Sequence, residues 1–396
     1  MNRPRLYVAS EDEIVSGKIT DVYFTRTKRI LEAKGLDKVR VRMEVHVSDL
    51  PRGYEWAVYS GLEEALKILQ GKPLDVYSIP EGTLVRSNTP VMLIEGSYAD
   101  MCLYETAVLG VLRHTTSIAT KAARMKKLAL DKRVVFFGLR ALHPAIAPAV
   151  DRAVFIGGAD AVSGDFSREY LGVNPVGTMP HALVVVFGDN VASWKAFDEV
   201  IEPEVPRIML VDTFNDERVE TLQAIEALGN RLYGVRLDTP RSRRGDMREI
   251  VEEIRWTLKA LGHPNIKIVV SGGVNERSIV ELRDVVDIFG VGTSIAFPPP
   301  VDISMDIVEV YRNGAWRPIA KRGKMPGAKK VYRCGVLDYE VTLWNERPSR
   351  CLEDILLKWL ENGVLVRDYP TPSEIRNYVL DQLKEIPEPQ ALQHQQ

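Results

Sequence analysis

Cysteine is nearly absent from this chain: Cys102, Cys334 and Cys351 are the only three among 396 residues. So few thiols exclude a disulfide scaffold and suit a reducing compartment. Long apolar runs are missing too. No stretch reaches the roughly 18 consecutive apolar residues of a membrane helix, and the most apolar one, around 90–112, is interrupted by Glu95, Asp100 and Glu105. The opening MNRPRLYVASEDEIVSG holds no apolar signal-peptide core, so a cytoplasmic protein without membrane contact is expected. Neither sign of charge dominates: the net charge is -2 with acids and bases interspersed, which argues against nucleic acid as a partner. Glutamine is scarce ahead of the tail, at Gln70, Gln223 and Gln382, a depletion of thermolabile amides of the kind heat-adapted proteins show. There is no G-x-x-x-x-G-K-[ST] loop, strand-borne G-x-G-x-x-G, G-x-S-x-G elbow or H-E-x-x-H. These absences exclude an obvious NTPase, dehydrogenase, esterase or zinc protease.

What is present is a globular composition, 45% apolar and 27% charged, long enough for two or three domains. The pattern changes character twice. Residues 1–110 read as a mixed α/β region, with a helix over about 21–33, the alternating strand VRVRMEVHV (39–47), a helix in YSGLEEALKIL and short strands to residue 96. Long helices follow over 98–130, SIATKAARMKKLAL being amphipathic. Residues 111–297 form a second region. Apolar runs recur there in VVFFGLR, AVFIGGADAVS, RIMLVDTFND, LYGVRLDTP, KIVVSGGVNE and VDIFGVGTS, and the later ones alternate with helical patterns. Near-continuous apolar strands alternating with helices predict a parallel sheet covered on both faces. About six such units predict an irregular α/β barrel. Residues 298–396 predict strands returning to the N-terminal region, a helix over CLEDILLKWLENG, a polar C-terminal helix and a disordered tail, EPQALQHQQ.

In such a barrel the active site lies at the carboxyl ends of the strands, where the last two commonly hold a phosphate. SGG (271–273) runs into a helix N-terminus, and GVGTS (290–294) offers glycines and hydroxyls, so the pair predicts a phosphate grip. Asp212 and Asp238 end two further strands, where a carboxylate can hold ribose hydroxyls or the waters of Mg²⁺. Strand-terminal acids also cap helices, a reading that suits Asn215 and Asp216 better than Asp212. Arg236 stands two residues before Asp238, on the same side of one strand. A cation within an apolar strand is costly unless paired, which favours a functional role. Phe137, Arg140, Asp160 and His181 are the remaining candidates in this region, whereas His114 and His143 are assigned structural roles.

The motifs taken together, and in order, resemble the nicotinate phosphoribosyltransferases, type II phosphoribosyltransferases, in their archaeal form. The set runs DVYF (21–24), IPEGTLV (79–85), SIATKAAR (117–124), FGLR (137–140), GGADAVS (157–163) and GTMPH (177–181). It continues through VDTFND (211–216), VRLDT (235–239), SGGV (271–274), GVGTS (290–294) and KMPGAKKVYR (324–333). The resemblance covers essentially the whole chain. It implies an N-terminal α/β sandwich-like domain, an irregular barrel and a small C-terminal extension. It also implies a homodimer or larger assembly whose active sites are shared between subunits.

The implied reaction joins nicotinate to phosphoribosyl pyrophosphate, giving nicotinate mononucleotide and pyrophosphate, with Mg²⁺ and with ATP as a coupled substrate. Phe137 and Tyr23 of the neighbouring subunit would sandwich the pyridine, with Asp160 beside it and Thr178 among the substrate contacts. Arg140 and Arg236 would divide the carboxylate and the pyrophosphate, in either order. Asp212 and Asp238 would meet ribose or Mg²⁺; Gly272, Gly273, Gly292 and Thr293 would bind the 5′-phosphate. His181 would be phosphorylated by ATP, although Ala182 replaces a hydroxyl residue that many relatives carry. Some archaeal relatives hold zinc in a cysteine-rich knuckle; Cys334 and Cys351 could contribute only to a mixed-ligand zinc site, and two buried free thiols are the expectation. The alternatives are quinolinate phosphoribosyltransferase, which needs positive charge for a second carboxylate, and a barrel that binds a phosphorylated ligand without catalysis.

Overall fold

The computed structural model describes residues 5–239 and 241–392. The chain divides into two compact units, one running to Thr120 and including Pro299–Pro387, the other comprising Lys121–Pro298 and the residues from Glu388. No helix among the described residues is long and apolar enough to cross a membrane.

The first unit is built on a seven-stranded sheet whose central strand is Arg40–Asp49, paired antiparallel with Asp302–Arg312 on one side and Pro90–Ser97 on the other. Alternation explains that strand: Val41, Met43, Val45 and Val47 are buried in the apolar core. Its other face is charged and paired, Arg42 lying 2.8 Å from Glu95 and 3.0 Å from Glu309, and Lys329 lying 2.9 Å from Glu44. The helix Leu62–Leu69 buries Leu62, Ala65, Leu66, Ile68 and Leu69 in the same core.

The second unit is α/β. Five short parallel strands stand in the order Arg133–Phe136, Ile288–Val291, Lys267–Val270, Gly234–Leu237, Ile208–Leu210. These are the apolar runs at 133, 208, 234, 267 and 288; three strands lead directly into Asp238, Ser271 and Gly292, and the other two reach Gly138 and Asp212 after one more residue, Phe137 or Val211. Glu217–Leu228, Met247–Ala260 and Glu276–Leu282 supply the helices between the later strands. A sixth segment touches the edge through one parallel bridge, Val135 to Ala161. The sheet curls, since Ile208 from one edge joins one buried cluster with Val135 and Ala161 at the other. Among the described residues no ladder joins those two edges, so the expected barrel is not closed by hydrogen bonds.

Four further expectations are corrected. AVFIGGADAVS is not a strand: Ala153–Ile156 end the helix Ala147–Ile156, and only Ala161 reaches the sheet. A short apolar run reads alike whether it is a buried helix or a buried strand. CLEDILLKWLENG is not a helix. Leu357–Glu361 and Val364–Leu365 form a hairpin about Asn362 (φ 46°) and Gly363 (φ 79°), and Leu357 pairs with Ser78 in the large sheet. Asn-Gly with both φ positive is the tight turn that matches strand twist. Cys334 and Cys351 are not free thiols but a disulfide. Their sulfurs lie within 4.8 Å of the Glu340 carboxylate, which accepts the amides of Ser349 and Arg350. Finally, residues 388–392 of the tail are ordered against the second unit, while 393–396 lie outside the described residues.

Candidate active site

At the carboxyl ends of the parallel strands a cavity of about 960 Å³ opens. Gly290 decides its floor: a β-carbon there would lie 2.6 Å from the Phe137 ring, so only glycine lets that ring lie across the strand end. Gly272 makes a second close approach. It holds φ +79°, and a β-carbon would come within 2.8 Å of the Asp238 carbonyl. With Gly273 at φ +77° the turn is built for backbone, and Asn275 closes it by capping Glu276–Leu282 in a reciprocal box with Ser278. Gly292 and Thr293 line the same wall.

Arg236 projects from its strand into the cavity. Nη1 donates to Thr178 Oγ1 at 2.7 Å and Nη2 to the Met179 carbonyl at 3.0 Å, so it holds the GTMPH loop in place. Its guanidinium sits 5.9 Å from the Phe137 ring centroid. Burial lowers its pKa and the charges of Asp238 and Asp212 oppose that, but it stays a cation throughout the working range. Arg140 lines the cavity from the turn Leu139–Ala141 and is exposed.

The two aspartates serve one centre. Asp212 caps no helix: its Oδ2 accepts the Asp238 amide at 2.5 Å and lies 2.7 Å from Thr239 Oγ1. Capping falls to Asp216, whose Oδ1 accepts the Val219 amide at 2.9 Å. Asp238 Oδ1 accepts from Ser271 Oγ at 2.9 Å. The other two oxygens flank one histidine nitrogen, His181 Nε2 lying 3.6 Å from Asp212 Oδ1 and 3.8 Å from Asp238 Oδ2. Burial raises the Asp212 pKa, against the lowering effect of its hydrogen bonds from Thr239 and Asp238. Its Oδ1 is buried without a hydrogen-bond partner. Such an oxygen calls for a donor or a cation, and two hard carboxylates facing one space suit magnesium.

His181 begins the short helix His181–Phe187, and its Nδ1 lies 3.1 Å from Thr213 Oγ1. When Nδ1–H donates to that hydroxyl, Nε2 carries the lone pair between the carboxylates. Thr213 was not found from the sequence; it supplies a hydroxyl beside the histidine where Ala182 does not. Ser271 and Thr239 were missed as well, although both sit inside quoted motifs. Glu220 had no sequence signal: fully buried, it accepts the amides of Thr213, Phe214 and Asn215 at 2.7–2.9 Å and fixes the loop carrying Asp212 and Thr213.

Phe137, Arg140, Thr178, His181, Arg236, Asp238, Gly272, Gly273, Gly292 and Thr293 therefore line one cavity, with Asp212 directly behind. Asp160 does not. Its Oδ2 accepts the Val134 amide and the Lys126 ammonium, both at 2.8 Å, at the start of its neighbouring strand rather than the end. Tyr23 belongs to the first unit, exposed on the helix Val22–Ala33 and tilted against Phe24. His143 accepts a local amide, that of Ala145, in keeping with a structural role.

Known proteins match this arrangement. The quinolinate phosphoribosyl transferase N-terminal domain family matches residues 21–116 and the corresponding C-terminal domain family matches 118–306. The nicotinate phosphoribosyltransferase of Bacillus subtilis is 26% identical, covering 92% of this chain and 88% of its own. The nicotinate phosphoribosyltransferase pncB2 of Mycobacterium tuberculosis is 30% identical over 79% of this chain and 69% of its own. The chain belongs to the nicotinate phosphoribosyltransferase family. Among solved structures, nicotinate-nucleotide pyrophosphorylase from Pyrococcus furiosus is 53% identical with a TM-score of 0.93, covering 97% of this chain and 99% of that one. Human nicotinic acid phosphoribosyltransferase, at 19% identity and a TM-score of 0.78 over 94% of this chain and 96% of that one, shares the fold of this family member.

Proposed function

We propose that this phosphoribosyltransferase makes nicotinate mononucleotide and pyrophosphate from nicotinate and phosphoribosyl pyrophosphate, as a cytoplasmic step of NAD salvage. One observation carries the reading. Arg140, Arg236 and Phe137 line the same cavity as the Gly272–Gly273 turn and Asp238, with Asp212 joined to Asp238 behind it. The aromatic face orients a flat ring, an arginine pairs its single carboxylate, and the glycine turn offers amides to the 5′-phosphate. The pyridine nitrogen then attacks the anomeric carbon as the carbon–oxygen bond to pyrophosphate breaks, through an oxocarbenium-like state in which the protein's work is positioning.

Magnesium fits Asp212 and Asp238 and would neutralise the diphosphate charge when bound. His181 Nε2 suits attack on the γ-phosphate of ATP, releasing ADP; the phosphohistidine would couple that energy to synthesis until water cleaves it. Tyr23 would complete the ring sandwich from the neighbouring subunit of a homodimer, and the curled sheet would act as an incomplete barrel. Quinolinate is the weaker reading, because Arg140 and Arg236 are the only arginines or lysines lining the cavity among the described residues. Side-by-side assays of pyrophosphate release with nicotinate, nicotinamide and quinolinate test the proposal. Nicotinate should dominate; equal turnover of nicotinamide would remove the arginine–carboxylate pairing, and preference for quinolinate would reverse the reading.

A further inference from the structure

Directly behind the Gly272–Asn275 turn lies a buried ionic cluster outside the cavity. Glu276, the first residue of the helix Glu276–Leu282, has no exposed side-chain surface. Its Oε1 accepts from Lys121 Nζ at 2.7 Å and from Arg124 Nε at 3.0 Å, and its Oε2 accepts from Arg124 Nη2 at 3.0 Å. In so dry a place every polar atom of the cluster needs a partner. The partners come from the end of the chain. The Leu392 amide donates to Glu276 Oε2 at 2.9 Å, and the Gln390 carbonyl accepts from Arg124 Nη2 at 2.7 Å. Four residues earlier Glu388 accepts from Arg283 Nη1 at 2.7 Å, and Arg283 is the C-cap of the same helix.

The lengths agree. From Glu276 to Arg283 a helix rises about 10 Å, and the four steps from Glu388 to Leu392 reach about 13 Å when extended. The segment therefore lies along the helix, pinned at both ends, the Leu392 end against the residue that follows the phosphate turn.

We infer that Glu388–Leu392 is a strap that clamps the helix Glu276–Leu282 through Glu276 and so positions the Gly272–Asn275 turn for the phosphate of the substrate. Glu276 is a positioning residue, and the inference rests on the proposed reaction only in naming that substrate. A turn of two glycines with positive φ has little rigidity of its own, so its amides converge only as well as the helix behind them is held.

The test compares the full chain with one truncated after Pro387 and with Leu392→Pro, which deletes the single amide donated to Glu276; Gln390→Ala, which keeps its carbonyl, is the control. Amide exchange at 271–276, measured without substrate, should quicken in the first two and not in the control. KM for phosphoribosyl pyrophosphate should rise about tenfold, the loss of one bond to a charged group, with KM for nicotinate unchanged. Unchanged exchange and KM in both variants would overturn the inference. So would a rise of both KM values together with a fall in kcat and melting temperature, since that is general destabilisation. Inactivity of the full chain would count against the proposed reaction alone, because exchange still decides the strap.

Discussion

Asp238 shows how one side chain divides its labour. Oδ1 is committed to the Ser271 hydroxyl and thereby to the glycine turn, while Oδ2 faces His181 and open space. Asp238→Asn keeps the Ser271 bond and deletes the charge, so it should lower kcat by roughly 100-fold while circular dichroism and melting stay those of the parent. Loss of the fold would show the residue to be structural instead. His181 stands in the same space but carries the energetics. His181→Ala should abolish acid-labile ³²P uptake from γ-labelled ATP while retaining part of the uncoupled transfer, since Phe137 and the phosphate turn are untouched. If the unsubstituted protein takes up no label, and the equilibrium product ratio ignores ATP, His181 is a contact residue only. Both aspartates were visible as polar residues closing apolar runs, and His181 as the residue that follows the Gly-Pro-flanked loop GTMP. The hydroxyls that orient them, Thr213, Thr239 and Ser271, were not, because serine and threonine are common at any strand end.

At the scale of elements, buried acids hold loops to helices. Asp151 lies in the helix Ala147–Ile156, and its Oδ2 accepts the Gly164 amide and the Ser167 hydroxyl, both at 3.1 Å. Burial pushes its carboxyl up from 3.8 to about 6, with those two bonds partly opposing the shift. A raised folded pKa contributes stability that is fully present below the unfolded value of 3.8 and lost as pH rises through about 6. Asp151→Asn retains an acceptor without the charge. It should be more stable than the parent by about 1–3 kcal/mol near pH 8, and the difference should shrink towards pH 5. Urea melts across that range measure it; a constant difference would mean that Asp151 ionises at its ordinary value. The hairpin at Asn362–Gly363 is the element that sequence periodicity misassigned. Leu360 and Trp359 are buried together in a way that also fits a helix, and only the Asn-Gly turn pointed to a hairpin.

For the whole molecule, the proposed sharing of the site makes a strong demand. Tyr23 and Asp238 belong to different units of one chain. If Tyr23 serves the partner subunit, Tyr23→Ala and Asp238→Asn impair different residues of each site. Refolding the two inactive variants together should then restore activity, about a quarter of the parental level when subunits pair at random. No recovery in a verified mixed dimer would place both residues in one subunit's site.

What the sequence determined by itself is the strand–helix alternation of residues 208–297 and the chemistry at the strand ends. Those are local properties: an apolar run of four, a following helix pattern, and a glycine or aspartate between them. The tertiary structure decided whatever depends on strand order. Arg133–Phe136 pairs with Ile288–Val291 far along the chain, so Phe137 comes to rest over Gly290. Asp160 was expected beside the ring from the family resemblance; the chain turns there to pair with Val134, and Lys126 takes its carboxylate. His181 meets Thr213, and Glu276 meets Leu392, across 32 and 116 residues. No periodicity encodes such a meeting, because hydrogen bonds depend on where packing brings the backbone.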